Sequence, residues 1–145
     1  MTDQQLTHEI IGAAMEVHRA LGPGLLESAY EECLAAELKA QGIPFERQKP
    51  LPIVYKDVKL EAGYRADLIV DTRVVVELKC IEAIAPIHEA VMLTYLRLSG
   101  CRVGLLINFF TAVLKDGIRR FVWHYPLPEK EKTKRRDAED AERND

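Results

Sequence analysis

Asp67, in Tyr64-Arg65-Ala66-Asp67-Leu68-Ile69-Val70, and Glu77 and Lys79, in Arg73-Val74-Val75-Val76-Glu77-Leu78-Lys79, place charge inside apolar, strand-like stretches. Successive strand side chains point to opposite faces, so Val74, Val76 and Leu78 share one face and Val75, Glu77 and Lys79 the other. Glu77 and Lys79 are therefore neighbours, with Cα atoms about 7 Å apart. An isolated buried charge costs on the order of several kcal/mol, so such groups must be paired, hydrated or bound to a metal. Two or three carboxylates meet that requirement by holding a hard divalent cation such as Mg²⁺, which takes oxygen ligands and keeps several waters. Glu27, on a helix upstream, is a third acid for such a site. A lysine beside it would orient or deprotonate one of those waters. The competing reading is an ion pair between Glu77 and Lys79 at a sheet edge, with Asp67 capping a turn; the acid-x-lysine spacing alone does not separate the two.

These residues need a scaffold, and 145 residues, 48% of them hydrophobic, are enough for the core of one domain. No apolar run approaches the roughly 18 to 20 residues of a membrane span, and Met1-Thr2-Asp3-Gln4-Gln5 lacks the basic-then-apolar start of a secretory signal. A soluble, cytoplasmic protein with no membrane partner is expected. Cys33, Cys80 and Cys101 are odd in number, far apart and set among apolar residues, which predicts reduced, mostly buried thiols. His8, His18, His88 and His124 show no paired metal-ligand spacing, and His88 is expected to cap a helix or sit in the core. The net charge of −3 argues against strong non-specific nucleic-acid binding. Arg47, Lys49, Lys56, Lys59, Arg65, Arg73 and Lys79 nevertheless concentrate positive charge mid-chain, either as a local groove or as ordinary solvated strand faces.

Apolar residues recur at three and four positions from Asp3 to Leu21, the pattern of an amphipathic helix stopped by Gly22-Pro23-Gly24. A second helix is predicted from about Leu25 to Gln41, with Glu27 in its first turn and Gly42 as a left-handed cap. Between Phe45 and Lys79 the period changes to a meander of antiparallel strands: Leu51 to Tyr55, Val58 to Glu61, Leu68 to Val70 and Arg73 to Leu78. A strict two-residue loop at Asp71-Thr72 would set Asp67 opposite Val76, facing away from Glu77. Convergence of the two acids therefore requires an odd loop or a bulge. Pro86 to Ser99 reads as a third helix, apolar around most of its circumference and expected to be largely buried. Arg102 to Phe109 reads as a central strand covered on both faces, and Ile118 to Trp123 as one more strand. One folded domain over 1–126 and a charged, disordered tail over 127–145 are expected.

The order of these motifs resembles the bacterial GxxExxY protein family, a branch of the PD-(D/E)XK nuclease superfamily. The residues that carry the resemblance are Gly24-Leu25-Leu26-Glu27-Ser28-Ala29-Tyr30, the Asp67 and Glu77-Leu78-Lys79 stretches, and Ile87-His88-Glu89-Ala90 through Leu105-Leu106-Ile107-Asn108-Phe109. The resemblance implies a restriction-endonuclease-like α/β (α+β) core, a mixed sheet flanked by helices. It also implies hydrolysis of phosphodiester bonds in DNA or RNA with Mg²⁺, or Mn²⁺, held by Asp67, Glu77 and the Leu78 carbonyl. Lys79 would position the attacking water, and Glu27 would complete the metal shell as a helix-borne acid. Tyr30 and Arg65 would be supporting or phosphate contacts, with core packing the alternative for Tyr30. Where relatives carry a helical glutamine after His88-Glu89-Ala90, this chain has Val91, which sets against turnover a nuclease-fold module that binds nucleic acid or protein. Exposed strand edges on so small a chain leave room for a homodimer.

Overall fold

The computed structural model describes residues 1–61 and 63–123. The expected tail, 127–145, and the domain boundary at 126 lie outside them. No helix of the described residues is long and apolar enough to cross a membrane.

Helix α1, Asp3–Leu21, starts at Thr2, whose hydroxyl accepts from the Gln5 N–H while the Gln5 side chain accepts from the Thr2 N–H. This reciprocal cap satisfies donors that the first turn cannot pair internally. Helix α2, Glu27–Ala40, follows, and helix α3, Pro86–Ser99, begins where His88 Nδ1 accepts from the Ala85 N–H and ends at Gly100 with φ of 77°. Strands β1 (Phe45–Pro50), β4 (Arg65–Val70), β5 (Val74–Lys79), β6 (Val103–Asn108) and β7 (Ile118–Val122) form one sheet in the order β1-β4-β5-β6-β7. The β5–β6 pair is parallel and the other three pairs are antiparallel, so the sheet is mixed.

Helices α1 and α2 cover one face, where Leu6, Ile10, Tyr30, Leu34 and Leu38 meet Leu68, Val76, Leu78 and Leu105. On the opposite face α3 sets Met92 and Leu96 against Ile69, Val75 and Leu106. Gly104 allows this approach, since a Cβ there would lie 2.5 Å from Met92 Sδ. Every residue of β6 is buried, as its apolar run predicts.

Two expectations are corrected. The meander is not one sheet: β2 (Ile53–Tyr55) and β3 (Val58–Leu60) pair only with each other, and β1, not predicted as a separate strand, takes the edge beside β4. Helix α3 is not largely buried either, because a single helix covers that face and nothing among the described residues covers its back. Only Met92 and Leu96 are buried, while Ile87 and Val91 are exposed.

The β4–β5 connection fixes the site. Leu68 pairs with Val76, Ile69 with Val75 and Val70 with Val74, so the loop is Asp71-Thr72-Arg73, an odd number of residues. Asp71 and Thr72 adopt φ of 51° and 55°, and the Arg73 N–H returns to the Val70 carbonyl. This register carries Asp67 to the level of Glu77 and not of Val76.

Beyond Lys79 the chain is clamped to β6 by Asn108, which is buried. Its side chain accepts from the Ile81 and Phe110 N–H groups and donates to the Ile81 carbonyl. Asn108→Ala leaves these backbone groups without their partner at the end of the strand that carries Glu77 and Lys79. A loss of about 2 kcal/mol is expected, read by urea denaturation; a loss near zero would show that the clamp is not structural.

Candidate metal centre

Backbone pairing between β4 and β5 stops at Leu68 and Val76, and side chains take over from there. The Asp67 N–H donates to Glu77 Oε1 at 2.9 Å, and the Leu78 N–H donates to Asp67 Oδ2 at 2.8 Å. A buried N–H needs an acceptor, and where the strands part only these carboxylates supply one. Ala66 and Ile69, three positions apart, both pack on the α3 side, so the two-residue alternation also breaks at Asp67.

The same break occurs on the other side of β4. The β1–β4 ladder joins Arg47 to Leu68 and Lys49 to Ala66 but passes over Gln48 and Asp67. Gln48 has φ of 50°, a left-handed conformation that costs a non-glycine residue about 1 to 3 kcal/mol. Its amide donates to Glu31 Oε1 at 2.6 Å and to Asp67 Oδ1 at 3.2 Å. Arg47 in turn donates from Nε and Nη2 to Glu31 Oε2, at 3.1 and 2.7 Å, and reaches Glu32 at 2.9 Å.

Burial and mutual repulsion govern the charges. Glu77 is 7% exposed. Its carboxyl is pushed up to about 8, first by burial and then by the negative charge of Asp67, against the opposing Asp67 N–H and Lys79 charge. Asp67 is also raised by burial, opposed by the Leu78 N–H and the Gln48 amide, with Glu31 and Glu27 adding repulsion. Two adjoining acids that resist joint ionisation offer the kind of oxygen donors that a hard divalent cation takes.

Not every predicted residue joins them. Glu27, first in α2, accepts from the Cys80 N–H at 3.3 Å and acts on Asp67 and Glu77 through its charge. Among the described residues no three His, Cys, Asp or Glu side chains gather closely enough to hold one ion, so Glu27 stands beside the Asp67–Glu77 pair without closing on it. Lys79 is half-buried and forms no direct ion pair with any described carboxylate, so the edge ion pair considered from spacing is not what the strand makes. Arg65 is exposed at the head of β4 and is not among the residues that line the cleft at Asp67.

Tyr30 is fully buried and stacks on Phe109 with ring centroids 4.2 Å apart. Its hydroxyl donates to the Gly22 carbonyl and accepts from the Leu25 N–H, tying down the loop before Glu27. That placement leaves it no face for a phosphate, and of the two alternatives raised for it core packing is the one observed.

Glu27, Ser28, Glu31, Gln48, Asp67 and Leu78 line an open cleft of about 420 Å³. Sequence reasoning missed Glu31, Gln48 and Tyr95. Glu31 carried a signal, lying four residues after Glu27 and so on the same helical face. Tyr95 meets the Arg65 backbone, and its phenol is pushed up by burial and by the charges of Glu77 and Asp67. Gln48 carried no signal, because its role depends on a local break in β1 that its neighbours do not announce.

A family model described as the PD-(D/E)XK nuclease superfamily matches residues 4–121. No curated protein and no solved structure matches the chain. Nucleases of this superfamily generally use divalent metal ions, in keeping with the oxygen-rich pair at the parting of β4 and β5. With the matched span taking in both helices of one face, the whole five-stranded sheet but for its last residue and the Asp67–Glu77 pair, the chain belongs to the PD-(D/E)XK nuclease superfamily.

Proposed function

We propose that the protein is a metal-dependent nuclease that hydrolyses phosphodiester bonds in DNA or RNA, folded as one domain over 1–126. The observation that carries this reading is the replacement of backbone pairing by the Asp67 and Glu77 carboxylates, with Lys79 two residues beyond. Asp67, Glu77 and the Leu78 carbonyl would hold Mg²⁺ or Mn²⁺, and Glu27, which stands beside the pair, would have to swing toward the ion to complete the set. Such an ion lowers the pKa of water and neutralises charge that builds on the scissile phosphate. Lys79 would position the attacking water by hydrogen bonding. Exposed Arg65 meets a phosphate, and Tyr30 acts only by fixing the loop that delivers Glu27. Among the described residues β1 pairs on one side only, with β4, and a second copy could add to its outer edge.

Val91 favours a second reading, a nuclease fold kept for binding nucleic acid or protein without turnover. It presents an apolar, 38% exposed side chain on α3, where the family resemblance implies a glutamine.

Labelled single- and double-stranded DNA and RNA, incubated with Mg²⁺ or Mn²⁺, separate the two. Cleavage is expected, lost on chelation, abolished in Asp67→Ala and reduced about 10²- to 10⁴-fold in Lys79→Ala. A pure, folded preparation that takes up no divalent ion and cuts none of these substrates overturns the proposal; ion uptake without cleavage supports the second reading.

Glu77→Gln keeps an oxygen for the Asp67 N–H and removes a buried charge beside Asp67. In metal-free buffer at alkaline pH the variant is expected to melt above the wild type. Mg²⁺ is expected to raise the wild-type melting temperature and to leave that of the variant unchanged. Equal melting without metal would contradict the electrostatic conflict assigned to this pair.

A further inference from the structure

We propose that Gln48 is the positioning residue for the Asp67 carboxylate, an inference that rests on the reading of Asp67 as a metal ligand. Among the described residues four non-glycine residues have positive φ: Gln48, Lys56, Asp71 and Thr72. Lys56 lies in the β2–β3 turn, and Asp71 and Thr72 lie in the β4–β5 turn, where such angles close hairpins. Gln48 alone among these four sits in mid-strand, in β1, where an extended residue would have completed the ladder.

The result of that local break is that its side chain enters the cleft. Both partners of the amide nitrogen are carboxylate oxygens, which only accept when ionised, so the two N–H groups of one amide are matched to two acids. Gln48 thus secures Asp67 Oδ1 while the Leu78 N–H secures Oδ2, and the carboxylate is fixed at both ends. The anchor behind it is firm: Glu31 is 9% exposed and held by two Arg47 nitrogens. A neutral amide is the suitable bridge, because it donates to both acids without adding charge. A glutamate at this position would add a third carboxylate and supply no donor.

Groups that orient a metal ligand typically change metal affinity about 10- to 100-fold when removed. Glycine adopts positive φ freely, so Gln48→Gly removes the amide and relieves the backbone at once. A merely structural role would show as lost stability; a positioning role shows as a stable protein with a loosened Asp67.

Gln48→Gly and Gln48→Glu, compared with the wild type, test this by three readouts: melting temperature, Mn²⁺ affinity by calorimetry, and hydrogen exchange at the Leu78 amide in metal-free protein. Gln48→Gly is expected to melt at or above the wild-type temperature, to exchange Leu78 faster with the Ile107 amide unchanged, and to bind Mn²⁺ about 10- to 100-fold more weakly. Gln48→Glu is expected to exchange Leu78 faster as well. Wild-type exchange at Leu78 in both variants overturns the assignment, as does a Gln48→Gly protein that exchanges Leu78 and Ile107 faster together. Should the wild type bind no Mn²⁺, the metal reading of the site fails, and the Leu78 exchange still decides whether Gln48 holds Asp67.

Discussion

The site depends on one substitution of partners: between β4 and β5, two carboxylates stand in for backbone carbonyls. A regular antiparallel pair bonds only alternate residue pairs, so continuing this register would have engaged one of the Asp67–Glu77 and Ala66–Leu78 pairs and not both. Here Glu77 accepts from the Asp67 N–H and Asp67 from the Leu78 N–H, so each acid is bound to the backbone of the other's strand. Both oxygen-bearing groups are thereby held side by side although burial and repulsion push their pKa values up. The fold supplies the geometry, and the electrostatic conflict it leaves is the property that makes a cation welcome.

Much of the remaining structure serves this juxtaposition. The loop Asp71-Thr72-Arg73 sets the register, and two consecutive left-handed residues make that loop close on Val70. Buried β6 and its terminal Asn108 steady the far end of β5. Stacked against Phe109, Tyr30 pins the segment that precedes Glu27. On the outer side, Arg47, Glu31 and Gln48 form a hydrogen-bonded chain that reaches Asp67 from α2 and β1. Each of these is a local arrangement whose effect is felt at two oxygen atoms.

The sequence made the long elements legible because their periods are strong. Helix α1 has the predicted limits Asp3–Leu21, helix α3 the predicted limits Pro86–Ser99, and β6 the two-sided burial of its apolar run. The acids at Asp67 and Glu77 stood out as charges within apolar strands, and the need for an odd loop followed from strand alternation alone. The partners of β1 and of the β2–β3 hairpin were not legible, since short strands of mixed polarity do not specify which sheet they join. Helix α3 misled because its apolar content exceeds what one sheet face can cover. Gln48 could not be read at all, because its contribution comes from a φ angle and from two partners distant in the chain. Tyr30 and Glu27 share one motif yet act differently, one inside the core and one at the cleft, a distinction that only packing makes.

The claim that the parted strands form a metal centre is tested most directly by a crystal structure of the protein grown with Mn²⁺ and read by anomalous scattering. The predicted result is one strong peak next to the Asp67 and Glu77 carboxylates. A structure with Mn²⁺ in the solution, no peak there, and both carboxylates still bonded only to the opposing amides would contradict it.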